Sequence, residues 1–339
     1  MSNKVETIVI FDTAVATDNI GDEIIMESIH KEMNDIFSQY MMLKYSTHTP
    51  IMHFFQSLKK SDPQFEYFNK TKYKFIGGSN IFKKRLLCRR ADWNINLFDI
   101  PFYKNVITIG CGTSFSDGFQ IDKYTKWLYS KILSKKYIHS VRDEKTKKFI
   151  ESIGGKAINT GCATMWSLTR EHCKHIPIFK QESVVFTLTG YNYDKMNDQY
   201  MIDCLLKEYK DVYFWPQSIG DYEYFSMLKT DNIKIVNPNL ESFRNLLIEE
   251  QPDYIGTRLH GGIFAMQNFC RTIIISIDNR AKDMDITYNL KCIDRNKIKK
   301  ELCERINSEI ITDIHLDEER IMSWKKQFLS WSEYNEERL

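Results

Sequence analysis

The eight cysteines form no C-x-x-C pair and mostly sit among apolar neighbours, so the chain lacks the signature of a zinc site or of a disulfide framework. Long apolar runs are missing too, and none approaches the ~18 residues of a membrane span. The first, at 7–11, is cut off by Asp12 and is too short for the apolar core of a signal peptide. Charge of one sign nearly cancels: 47 basic side chains against 45 acidic ones leave a net +2, which argues against a nucleic-acid binder driven by counterion release. No G-x-G-x-x-G follows the first predicted strand, and G-x-x-x-x-G-K-[ST] occurs nowhere, so neither a conventional dinucleotide site nor a P-loop is expected. Internal repeats and low-complexity stretches are absent as well. These absences leave a soluble, cytoplasmic chain in a reducing compartment as the expectation.

At 339 residues the chain exceeds the ~100–200 residues typical of one domain, and two are expected. Short Val- and Ile-rich runs recur at 7–11, 74–78, 106–110, 138–143, 157–161, 184–190, 212–217, 233–237, 254–256 and 272–278. Glycine or polar residues follow each run, and in most cases a helical pattern comes next. Continuous apolar strands alternating with helices mean strands buried on both faces, hence parallel sheets covered by helices. The predicted fold is α/β, two doubly wound Rossmann-type domains. The polar stretch from Arg170 to Pro177 marks the joint. It separates an N-terminal domain at 1–172 from a C-terminal one at 173–316. Residues 317–339 open with acids, and Ile321, Trp324, Phe328 and Trp331 recur at helical spacing. This segment is expected to be a helix that packs back across the joint. The charge is uneven along the chain, with ten basic residues against Asp62 and Glu66 over 59–90.

In open α/β sheets ligands bind beyond the carboxyl ends of the strands, so the residues just after each run are the candidates. Asp18-Asn19-Ile20-Gly21-Asp22-Glu23 reads equally as a helix cap with first-turn acids or as a ligand loop. Ile76-Gly77-Gly78-Ser79-Asn80 and Gly110-Cys111-Gly112-Thr113-Ser114 are strand-to-glycine turns whose N–H groups suit a ligand oxygen. Arg142, in Ser140-Val141-Arg142-Asp143-Glu144, is placed to clamp a carboxylate or phosphate, or to pair with Asp143 or Glu144. The most pointed segment is Thr257-Arg258-Leu259-His260-Gly261-Gly262, where a strand runs into an arginine, a histidine and two glycines before an apolar helix. A helix N-terminus favours anions, Arg258 adds a fixed positive charge, and His260 titrates near neutrality. Together they describe an anion site with a proton donor. Arg280 follows the 272–278 strand as a third cation or as the partner of Asp278. Gln217 and Tyr191-Asn192 are strand-end polar groups suited to sugar hydroxyls. His172, Cys173 and His175 lack a fourth partner at ligand spacing, and no metal site is expected there.

Taken in order, Asp18-Asn19-Ile20-Gly21-Asp22-Glu23, Gly77-Gly78-Ser79-Asn80, Ser140-Val141-Arg142-Asp143-Glu144 and Thr257-Arg258-Leu259-His260-Gly261 resemble the polysaccharide pyruvyl transferase family over most of the chain. The resemblance implies a GT-B-like pair of Rossmann-type domains, with phosphoenolpyruvate held in the cleft between them and no metal or other cofactor. Arg142 and Arg258 then look like donor-binding groups and His260 like the acid or base; from their own positions Leu259, Arg280, Asn19, Gly78, Asn80 and Gln217 are the further substrate-binding candidates, and Asp22 or Asn19 is expected to orient or deprotonate the acceptor hydroxyl. Where many members carry T-G-D-P, this chain has Thr160-Gly161-Cys162-Ala163.

Phosphoenolpyruvate is close to a trianion near neutral pH, so arginines and helix N-termini are what its site needs. The reaction implied is protonation of its methylene carbon by His260 and formation of a pyruvate ketal on two hydroxyls of a sugar, with release of phosphate. The acceptor implied is a bacterial surface polysaccharide or its lipid-linked oligosaccharide precursor. Lys59, Lys60, Lys83, Lys84, Arg85, Arg89 and Arg90 would then meet its pyrophosphate or the inner membrane face, or form a solvated basic surface. The competing reading is a GT-B glycosyltransferase that uses a nucleotide sugar.

Overall fold

The computed structural model describes residues 5–57, 63–87, 92–113 and 120–329, without the side chains at 54, 57, 64, 279 and 280. Lys59, Lys60, Arg89, Arg90, Ser114 and Trp331 therefore lie outside the described residues, as does the side chain of Arg280. The chain divides into two compact units: Met1–Thr17, Ile25–Trp166 and Asp317–Leu339 form the first, Asp18–Ile24 and Ser167–Leu316 the second. The sequence sets the boundary at 172. Chain contacts instead turn at Trp166, and the short Asp18–Ile24 stretch clusters with the second unit.

In the first unit, strands β1 (Thr7–Asp12), β2 (Met41–Ser46), β3 (Tyr73–Gly77) and β4 (Val106–Ile109) form a parallel sheet in the order β2-β1-β3-β4. β5 (Ile138–Val141) and β6 (Lys156–Asn159) pair with each other. They continue the row through Thr108, whose hydroxyl donates to the Ser140 carbonyl at 2.8 Å, and through Arg142 N–H to the Cys111 carbonyl at 3.0 Å. Alternate residues of a strand face opposite sides of its sheet. Here Val9 and Phe11 enter one core with Trp93, Tyr103 and Tyr129, while Ile8 and Ile10 enter another with Ile25, Ile29 and Phe75. Both faces are buried, which is why the run reads as continuously apolar. The helix Glu318–Lys325 rejoins this unit: Ile321 and Trp324 enter the second of those cores, and Trp324 Nε1 donates to the Ile138 carbonyl at 2.7 Å.

In the second unit, β7 (Ser183–Thr187), β8 (Asp211–Phe214), β9 (Lys234–Ile235), β10 (Asp253–Gly256), β11 (Thr272–Ser276) and β12 (Ile293–Asp294) form a parallel sheet ordered β12-β11-β10-β7-β8-β9. Numbered within the unit this is the 6-5-4-1-2-3 order of a Rossmann sheet, and the direction of winding reverses between β7 and β10. Val184 and Phe186 pack on one face with Ile255 and Ile273, and Val185 packs on the other with Tyr254 and Phe264.

Ten strands are legible in the sequence, and twelve are present among the described residues. β2 is missed because its Met-Met-Leu-Lys-Tyr-Ser segment is an edge strand with half-exposed residues and no Val or Ile. β12 is only two residues long. Cys204 and Cys303, 99 residues apart, lie side by side with Cα atoms 6.6 Å from each other. Two packed helices, Lys195–Glu208 and Ile298–Asn307, bring them together, and no local motif announces it. No helix among the described residues is long and apolar enough to cross a membrane.

Candidate active site

The switch point of the second sheet lies at the carboxyl ends of β7 and β10, and the chain places Arg258 directly after β10. A closed circuit holds its backbone. Arg258 N–H donates to Thr187 Oγ1 at 3.2 Å, and Tyr254 Oη donates to the Arg258 carbonyl at 2.7 Å. With the Tyr254 hydrogen committed, the 2.6 Å contact between Thr187 Oγ1 and Tyr254 Oη has Thr187 as donor.

The side chain of Arg258 is held as firmly. Nε donates to Asp221 Oδ2 at 2.9 Å and to the Leu188 carbonyl at 3.3 Å. Nη2 donates to Ser218 Oγ at 2.8 Å and to Asp221 Oδ1. The guanidinium carbon sits 5.2 Å from the centre of the Tyr191 ring. Nη1 has no hydrogen bond among the described residues, so it is the edge available to a ligand. The sequence expects Arg258 to be a cation facing the donor and does not anticipate Asp221, which shares the charge.

His260 lies in the first turn of the helix Leu259–Gln267, 8 % exposed. This helix is apolar all round and buried from Leu259 to Met266. It lies tight against the sheet because Gly262 has no side chain: a Cβ there would stand 2.7 Å from Ile274 and 2.9 Å from Tyr254. Leu259 is itself in the interior, which limits what it offers a ligand to its backbone.

Asn19 and Gln217 come together in this same unit. Gln217 Nε2 donates to Asn19 Oδ1 at 2.9 Å, and Ile20 N–H donates to the Gln217 carbonyl at 3.0 Å. Asn19 Oδ1 also accepts from Gly21 N–H at 3.1 Å, and Asn19 Nδ2 lies 3.4 Å from Asp22 Oδ2. Asn19 thus accepts within the first turn of the helix that begins at Ile20 and holds Asn19 and Ile20 to Gln217, the capping reading of that motif. The amide orientation of Gln217 follows from Asn19 Oδ1 already being an acceptor. It leaves Gln217 Oε1 buried and without a donor among the described residues. That oxygen lies beside Gly261, where a Cβ would approach it to 3.3 Å.

A second cluster belongs to the first unit. Arg142 lies flat over Gly112, where a Cβ would stand 2.7 Å from the guanidinium carbon. Its Nη2 donates to Asn80 Oδ1, and its Nε pairs with Asp143 Oδ2 at 3.6 Å. Asp143 also caps the helix Glu144–Ser152 by accepting from Thr146 N–H at 2.7 Å. Gly78 has φ +53°, and its N–H donates to the Ile109 carbonyl at 2.8 Å, so that group serves the turn and not a ligand. Arg280 falls in the first turn of the helix Asn279–Tyr288. Around the basic segment, Lys83 pairs with Asp92 at 2.9 Å. His172 Nε2 lies 2.8 Å from the Met266 carbonyl, and its ring stacks on Phe269.

A family model described as polysaccharide pyruvyl transferase matches residues 19–279. No curated protein is matched. Among solved structures, the chain is similar to S. aureus MnaA determined with UDP, at TM-score 0.51 and 11% identity over 96% of both chains. It is also similar to the UDP-GlcNAc 2-epimerase of Methanocaldococcus jannaschii in complex with UDP-GlcNAc and UDP, at TM-score 0.50 and 11% identity over 96% of this chain and 100% of that one. At that identity the likeness concerns the fold, which is α/β, parallel and GT-B-like.

Proposed function

The chain belongs to the polysaccharide pyruvyl transferase family, and from that premise we propose that it transfers the pyruvyl group of phosphoenolpyruvate to two hydroxyls of a sugar, forming a cyclic ketal and releasing phosphate. The sugar is proposed to belong to a bacterial surface polysaccharide or its lipid-linked precursor. The observation that carries the reading is Arg258, held rigid at a sheet's switch point directly before a helix N-terminus that carries His260. Both features favour an anion beside a group able to move a proton.

In the proposed reaction, an acidic oxygen of phosphoenolpyruvate meets Nη1 of Arg258 and the N-terminus of the helix Leu259–Gln267. His260 gives a proton to the methylene carbon, which becomes the ketal methyl group. The electron-poor C2 takes the first sugar hydroxyl, whose proton returns to His260. The bond from C2 to the phosphate oxygen then breaks, phosphate leaves with that electron pair, and the second hydroxyl closes the ketal as its proton passes to phosphate. Gln217 Oε1, a buried acceptor with no donor among the described residues, is proposed to receive a hydroxyl. Asp22 is proposed to orient the acceptor, and Arg142 with Asn80 to form a second anion-binding group. This route calls for no resident metal or cofactor.

The two solved structures named above hold uridine nucleotides, which makes a nucleotide sugar the donor to test against. The assay is thermal melting with each ligand. Phosphoenolpyruvate should raise the melting temperature of the wild type and not that of Arg258→Ala, while UDP-sugars leave both unchanged. Stabilisation by a UDP-sugar alone would transfer the assignment to a glycosyltransferase.

A further inference from the structure

We infer that Asp221 is the positioning residue of the second unit's site, a carboxylate that fixes the guanidinium of Arg258 and two neighbouring strand-end loops in one arrangement. Asp221 is fully buried, in the first turn of the helix Ile219–Phe225. Its two oxygens are used symmetrically. Oδ1 accepts from Gly190 N–H at 2.8 Å and from Arg258 Nη2, and Oδ2 accepts from Gln217 N–H at 3.1 Å and from Arg258 Nε at 2.9 Å. One carboxylate therefore ties together the segments that follow β7, β8 and β10.

Backbone packing enforces the same arrangement. A Cβ on Gly190 would run into the backbone of Gly220, so the loop after β7 touches the first turn of the helix Ile219–Phe225 main chain to main chain beside Asp221. Charge-assisted bonds of this kind are about twice as strong as neutral ones, and a forked guanidinium bound at two points has little rotational freedom left to lose. Arg258 is consequently oriented before any ligand arrives, with its ordering cost met during folding and not on binding. Because Asp221 offsets its charge, recognition depends on where the remaining N–H edge points more than on net charge. For its kinetic consequence the inference rests on the donor-binding reading of Arg258. Its structural half stands without it.

The test is Asp221→Asn in the full chain, read by amide hydrogen exchange and by the kinetics of phosphate release from phosphoenolpyruvate. The amide turns one oxygen into an NH2 group that faces two donors. Exchange at whichever of the Gly190 and Gln217 amides then faces the NH2 group should accelerate about tenfold or more, and KM for phosphoenolpyruvate should rise about tenfold with a smaller change in kcat. Folded Asp221→Asn with wild-type exchange and wild-type KM overturns the inference. Should that variant fail to fold, Arg258→Lys decides, since it keeps the charge and loses the two-point hold. A tenfold rise in KM with faster exchange supports the brace, and unchanged values in both overturn it. A wild type that binds and turns over no phosphoenolpyruvate contradicts the proposed donor, and the exchange data alone then decide the role of Asp221.

Discussion

Tyr254 donates its phenolic hydrogen to the carbonyl of Arg258, four residues ahead in the chain, at 2.7 Å. Thr187 closes the circuit by accepting from Arg258 N–H and donating to Tyr254. Tyr254→Phe removes the middle of this ring: the buried Thr187 hydroxyl loses that acceptor, and the Arg258 carbonyl keeps only the Gly262 N–H at 3.1 Å. An unsatisfied buried polar group costs about 1–3 kcal/mol, and that is the expected loss of stability in denaturant unfolding. Activity should fall with it, because the same bonds aim Arg258. Unchanged stability would mean the ring is idle.

Gly112 and Arg142 make a second pair whose fit is steric. The guanidinium lies where a side chain at 112 would stand. Gly112→Ala should displace Arg142 from Asn80 while leaving the fold intact, and lower phosphate-release activity about tenfold or more. The folded variant's circular dichroism and its activity together check this. Full activity would exclude Arg142 from the site.

Stability should depend on pH through His139, which is buried at the centre of the first unit. Its Nδ1 accepts from Thr108 N–H at 3.2 Å and its Nε2 lies 2.8 Å from the Ser134 carbonyl, so Nε2 carries the hydrogen and the ring is neutral. Burial pushes its pKa down from 6.5 to about 4. Between those values the unfolded chain takes up a proton that the folded protein refuses, so stability is lost as pH falls through this window. The whole shift corresponds to on the order of 3 kcal/mol. Urea unfolding from pH 7 to pH 4 should show a steeper decline for the wild type than for His139→Gln. Parallel curves for the two proteins would rule out His139 as the source.

Much of this was readable from residue order alone. Continuous apolar runs revealed the doubly wound sheets, because strands covered on both faces have no polar side to alternate with. The rule that strand carboxyl ends carry ligands points to Arg258, His260 and Gln217 as candidates, and the sheet order puts Arg258 at the switch point itself. Asp221 escaped. It follows Ser218-Ile219-Gly220 in a first helical turn, where an acid is ordinarily a dipole partner, and its role appears only once β7, β8 and β10 are side by side. Asn19 is ambiguous for the same reason: a cap and a ligand loop share one composition, and only the bond from Gly21 N–H to its side chain shows the cap. The edge strand Met41–Ser46 and the Cys204–Cys303 pair depend on long-range packing that no local pattern encodes.

The step on which the proposed function turns is proton transfer by His260 to phosphoenolpyruvate beside Arg258. Its most direct test is phosphate release from phosphoenolpyruvate in the presence of saccharide acceptors, for the wild type and His260→Ala, with donor binding measured alongside. The wild type should release phosphate only when an acceptor is present. In His260→Ala the rate should fall at least about a hundredfold, the usual worth of a general acid, while donor binding changes only a few-fold. Release from His260→Ala at the wild-type rate would contradict it.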